Sequence, residues 1–166
     1  MAQDTSANEN VAKIAKEIKG IRMAMLTTVA LDGSLHSRPM ATQEQDFDGD
    51  LWFFTDKHSV KVDELEANNR VNVAFVSPDD NRYVSITGKA KLVLDQAKID
   101  ELYSPAIKAW FPDGKDDPNI SLIHVDPELA EYWDSPNSKL VQVAGFLKAL
   151  ATGKRIEGGE NETVKL

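Results

Sequence analysis

Short strand-forming runs follow one another along this chain, separated by tight turns. Met23-Ala-Met-Leu-Thr-Thr-Val-Ala30 leads into Asp32-Gly33, the strongest short hairpin signal, and residues 34–42 form the return strand. Phe47-Asp-Gly-Asp50 turns into Leu51-Trp-Phe-Phe-Thr55. Pro78-Asp-Asp-Asn81 joins the alternating residues 70–77 to a long strand over 83–94. Residues 120–125 and 128–133 supply a last strand or two. Sequential hairpins restrict the fold to an antiparallel barrel or sandwich, because parallel βαβ units need a crossover helix between strands. Pro39 cannot donate a ladder hydrogen bond, which puts its strand at an edge or a bulge, and Gly88 marks a second bulge.

Helices fill the gaps. Val11, Ile14, Ala15 and Ile18 recur at helical spacing and stop at Gly20. Residues 59–68 read as a short helix with Val62 and Leu65 inward, and residues 96–103 as another. Residues 110–118 are a loop, and Leu140, Phe146, Leu147 and Leu150 suggest a C-terminal helix. The expected organisation is one domain over residues 9–150, with flexible tails at 1–8 and 151–166. A chain of 166 residues is long enough to bury a core.

A formal net charge of −8 argues against a groove for DNA or RNA, which needs clustered Lys and Arg, but leaves room for a site that binds one phosphate. The absence of cysteine removes thiolate nucleophiles and Cys-based metal sites and fits a reducing compartment. No apolar run approaches the roughly 18 residues of a membrane span, and Met1 to Asn10 is polar, so the expected location is cytoplasmic. Familiar catalytic signatures are missing: there is no GxGxxG, no Walker loop and no GxSxG. His36, His58 and His124 are scattered, so no metal site is expected.

The informative stretch is Phe54-Thr-Asp-Lys-His-Ser-Val-Lys61, where a strand ends and a helix begins near Ser59. A helix start offers unpaired N–H groups and a positive dipole end; Ser59 adds a hydroxyl and Lys61 a cation within the first turn, which suits a phosphate monoester. The plain alternative is an N-cap serine beside a solvated lysine. Arg38 shares a strand face with Met40 and Thr42, and there it meets either an anionic ligand or a carboxylate at the rim. Trp133, in Tyr132-Trp-Asp-Ser-Pro136, is either core or the flank of a flat ring.

In order, Ser37-Arg-Pro-Met40, Leu51-Trp-Phe-Phe-Thr-Asp-Lys-His-Ser-Val-Lys61, Val84-Ser-Ile-Thr-Gly-Lys-Ala90 and Glu131-Tyr-Trp-Asp-Ser-Pro136 form a set. With the loop Ala109-Trp-Phe-Pro-Asp-Gly-Lys-Asp-Asp-Pro118, the chain resembles the pyridoxamine 5′-phosphate oxidase-like FMN-binding split barrels, in their bacterial general stress protein branch. The resemblance implies a mainly β fold with short helices, an antiparallel split β-barrel. It also implies a homodimer with FMN at the subunit interface. Carried onto this chain, it gives Arg38, Ser59 and Lys61 to the FMN phosphate. Pro39, Met40, Ala41, Phe54 and Thr55 would line the ring and ribityl chain, with Tyr83 reaching the flavin from the second subunit and Trp133 flanking the ring.

Departures from the oxidases bear on activity. Their Ser-Arg-Lys phosphate turn is Ser59-Val60-Lys61 here, their substrate-holding lysine is Gln43, and their Arg-Leu-His-Asp-Arg segment is Lys139-Leu-Val-Gln-Val143. An apolar side chain cannot pair a substrate phosphate, so vitamin B6 oxidation is not expected although FMN binding is. The implied function is an FMN-dependent oxidoreductase of unknown substrate. Alternatives are a flavin sensor or store without turnover, or a haem-binding relative.

Overall fold

The structure, a computed structural model, describes residues 2–134 and 160–166. Among the described residues seven strands form one antiparallel sheet: β1 (Met23–Val29), β2 (Leu35–Ala41), β3 (Leu51–Asp56), β4 (Arg70–Ser77), β5 (Arg82–Val93), β6 (Ile120–Asp134) and β7 (Glu160–Lys165). The hydrogen-bonded order is β2-β1-β4-β5-β6-β3, with β7 also on β6. The two end strands, β2 and β3, approach one another without pairing, and this is the split of the barrel. Pro39 therefore lies on a sheet edge, where its missing N–H costs no ladder bond.

Alternation decides which side of each strand is core. Ala24 and Leu26 on β1, Val71, Val73 and Phe75 on β4, Val84 and Ile86 on β5 and Ala130 and Tyr132 on β6 point inward and are buried. Helix α1 (Ala2–Ile18) closes one side of the barrel with Ile14 and Ile18, and helix α2 (Val60–Ala67) inserts Val62 and Leu65. A second apolar cluster joins Ile99 and Leu102 of helix α3 (Gln96–Leu102) to Ile107, Phe111 and Leu122. It anchors two 3-10 turns, Pro105–Ala109 and Gly114–Asp116, beside β3. At Gly88 the β5–β6 register shifts, and a Cβ there would lie 2.2 Å from the Asp126 carbonyl oxygen, so only glycine allows that approach.

Both ends of the chain differ from the sequence expectation. The N-terminal residues expected as a tail belong to α1, which begins at Ala2. Residues 160–165, also expected in a tail, form β7 and pair with residues 129–134 of β6. The cause is the length of β6: its first half is covered by β3, and β7 satisfies the backbone groups of the second half while burying Val164. The two runs expected as one or two last strands are the single strand β6. The helix suggested by Leu140, Phe146, Leu147 and Leu150, and the segment from Lys139 to Val143, lie outside the described residues.

Candidate functional site

A cleft of about 460 Å³ opens at the split of the barrel. Arg38, Pro39, Met40 and Ala41 form the β2 wall, and Phe54, Thr55 and Asp56 the β3 wall. Lys61 from α2 closes one end, and Ile107 of the first 3-10 turn lines it with Trp110 and Phe111, which follow that turn. The volume falls in the range of cofactor pockets.

The β3–α2 turn builds the polar end. Ser59 has the extended backbone of an N-cap, but its side chain caps nothing. Instead its hydroxyl lies 3.2 Å from Thr55 Oγ1, and Lys61 Nζ donates to Ser59 Oγ at 3.0 Å and to Thr55 Oγ1 at 3.1 Å. The lysine is thus folded back over its own turn rather than extended into solvent. Burial, and then the Arg38 guanidinium, push its ammonium below the usual lysine value.

Arg38 has the inward parity of β2, opposite Leu26, yet at this rim the interior is polar. Its Nη2 donates to Glu64 Oε2 at 2.8 Å and its Nη1 to Thr28 Oγ1. Glu64 comes from α2 and is 2% exposed. It also accepts from Thr28 Oγ1 at 2.5 Å, and its Oε1 lies 2.6 Å from His36 Nδ1. Burial alone would raise its carboxyl; the hydrogen bonds from Thr28, His36 and Arg38 outweigh that and hold it below the usual range. Both readings of Arg38 therefore meet: it has a carboxylate partner and it lines the cleft.

Glu64 is the residue that sequence reasoning missed. The signal was faint: a glutamate at helical i+3 from Lys61, beside the inward Leu65. Gln43, a wall residue, has a buried Nε2 with no hydrogen-bond partner among the described residues, so the cleft holds an unused donor. Ser59 is not itself in the cleft wall and reaches it only through its bonds to Thr55 and Lys61. Tyr83 and Trp133 are not in the wall either. They pair across β5 and β6 on the outer face, 40% and 37% exposed. Among the described residues no group of His, Asp and Glu could hold a metal ion, and no helix is long and apolar enough to cross a membrane.

Two cations converging on one end, a hydroxyl pair beside them and a largely apolar wall with a spare amide donor fit a flat ligand carrying a terminal phosphate, while Asp56 and Asp117 add carboxylates to the same lining. The barrel, the split and this motif order define a class, and residues 9–157 match the family described as pyridoxamine 5′-phosphate oxidase like. The chain belongs to that family. It is 32% identical over 143 residues to protein bli-3 of Neurospora crassa, covering 80% of this chain and 68% of that one. It is 32% identical over 112 residues to general stress protein 26 of Bacillus subtilis, covering 64% and 76% respectively. Among solved structures, the general stress FMN/FAD binding protein of Xanthomonas citri superposes with a TM-score of 0.68 at 36% identity, covering 78% of this chain and 92% of that one. The fold is that of the split barrels.

Proposed function

We propose that this protein is an FMN-binding flavoprotein of the general stress type and an FMN-dependent oxidoreductase. The observation that carries the reading is the pairing of Arg38 and Lys61 at the polar end of the cleft, where Lys61 is held by Ser59 and Thr55 at a cost to its own charge. A phosphate monoester would relieve that cost, and the Xanthomonas relative is described as binding FMN or FAD. In this reading Arg38, Ser59 and Lys61 grip the phosphate, while Pro39, Met40, Ala41, Phe54 and Thr55 orient the ribityl chain and one edge of the ring. Gln43 offers its amide N–H to a ring or ribityl oxygen. When bound, the flavin supplies the redox chemistry, and the chain's part is to position it and shield it from water.

The same reading includes a homodimer that shares the flavin between subunits. Support comes from the outer face beside the cleft. Val76 pairs with Tyr83, and Tyr83 with Trp133; Met23, a cleft residue, lies one step past the pair of Ala24 with Phe75, as Val76 does. All four side chains are exposed, and so contiguous an apolar row on a monomer points to a contact surface. Tyr83 and Trp133 would then reach the flavin of the partner subunit.

Purified protein should be yellow, and the flavin released by heat should be the monophosphate by chromatography. Reduction of the bound flavin by NADH or NADPH faster than free FMN would establish turnover. A colourless protein that takes up no added FMN would remove the proposal.

A further inference from the structure

Arg38 does not stand alone at the cleft: a buried carboxylate lies behind it. Glu64 divides its two oxygens. Oε1 faces His36 Nδ1, while Oε2 accepts from both Thr28 and Arg38. Thr28 is fully buried and bonds to both partners: its hydroxyl donates to Glu64 and accepts from Arg38 Nη1. The guanidinium is therefore fixed by two of its nitrogens, through one bond to the carboxylate and one to the threonine that the same carboxylate orients. Glu64 itself is not part of the cleft wall.

A free arginine side chain carries rotamer entropy, which a ligand would have to remove on binding. Here that ordering exists in advance. We propose that Glu64 is a positioning residue: acting through Arg38 and Thr28, it presets the guanidinium for the terminal phosphate and so favours the phosphorylated flavin over its phosphate-free form. The proposal rests on the reading of Arg38 and Lys61 as a phosphate site.

Charge and geometry act in opposite directions, and the test must separate them. Removing the carboxylate would free Arg38, but it would also relieve repulsion of a dianionic phosphate. Glu64→Asp keeps the charge and withdraws it by one methylene, so it changes geometry alone. Thr28→Val removes the bridging hydroxyl at similar volume and also leaves the net charge alone. Each variant, as the full chain freed of flavin, is titrated with FMN and with riboflavin, alone and in an Arg38→Ala background.

The expected result is that Glu64→Asp weakens FMN by about tenfold and riboflavin by less than about twofold, as coupled contacts of this kind do. Thr28→Val should act in the same sense. In the Arg38→Ala background, neither change should weaken FMN further. Equal losses for FMN and riboflavin would make Glu64 a purely structural residue and overturn the proposal. An FMN loss that persists undiminished without Arg38 would also overturn it, since Glu64 would then not act through that side chain. If Glu64→Asp does not fold, Thr28→Val decides by the same two criteria. Wild-type protein that binds FMN and riboflavin equally would instead remove the phosphate reading itself.

Discussion

The rim formed by Arg38, Ser59, Lys61 and Glu64 and the outer row of Met23, Val76, Tyr83 and Trp133 belong to one sheet and its covering helix, yet they are finished to different degrees. At the rim nearly every polar atom has a partner: Lys61 on Thr55 and Ser59, Arg38 on Thr28 and Glu64, Glu64 on His36. The outer row instead leaves large apolar side chains open to water, with Met23 and Val76 each 47% exposed. The described residues thus complete the polar rim by themselves, whereas the outer row is left uncovered among them. Under the proposed function the two regions divide the work, with ligand charge read within a subunit and ligand shape by the dimer.

Arg38→Ala breaks that contrast most severely. It removes a charge-assisted contact and leaves Glu64 buried without its cation. FMN affinity should fall on the order of a hundredfold in a fluorescence titration, with riboflavin little changed. Loss of both ligands together would mean that the arginine only supports the fold.

Trp133→Asp probes the other region. A carboxylate at one end of the proposed contact opposes association, so sedimentation should shift toward the 18.4 kDa species. FMN and riboflavin should weaken together, by about tenfold. A variant that kept its oligomeric state and both affinities would separate the outer row from the flavin site.

Gln43→Ala should cost a few-fold in affinity for both ligands, because a single neutral hydrogen bond contributes roughly 1 kcal/mol. An effect confined to FMN would move Gln43 to the phosphate end.

The smallest effects are on the stability of the flavin-free fold. Lys61 has its folded pKa below the usual 10.5, so its charge is a net cost at neutral pH, relieved as pH rises through the folded value. Lys61→Gln should therefore leave melting at pH 7 unchanged or slightly raised, even as FMN binding falls. Glu64 has the opposite consequence. Its folded pKa lies below the usual 4.5, so its contribution is complete above that value and lost as pH falls through the lower folded one. Melting curves of wild type and Glu64→Gln should converge on acidification; parallel curves would contradict the depressed carboxyl.

Much of the fold was legible because alternation and turns carry it. Asp32-Gly33 announces the first hairpin, Gly33 adopts φ +85°, and Pro39 marks the edge. β7 was illegible because its six residues are mostly polar, and backbone pairing along the free half of β6 places them there. Arg38, Ser59 and Lys61 could be singled out because their residue types state their chemistry, and the structure brings Arg38 and Lys61 to one cleft. Glu64 could not, since a helix glutamate is ordinarily solvated and only tertiary packing turns this one inward. The outward position of Tyr83 and Trp133 follows from strand parity, which the motif alone does not reveal.

In the proposed function the split of the barrel binds a flavin by its terminal phosphate. Titration of the flavin-free protein with FMN and riboflavin, in wild type and in Lys61→Ala, tests it most directly. Wild type should prefer FMN strongly, and Lys61→Ala should lose about tenfold to a hundredfold of FMN affinity while riboflavin binding stays within about twofold. Equal affinity of the wild type for the two ligands, or an equal loss of both in the variant, would contradict it.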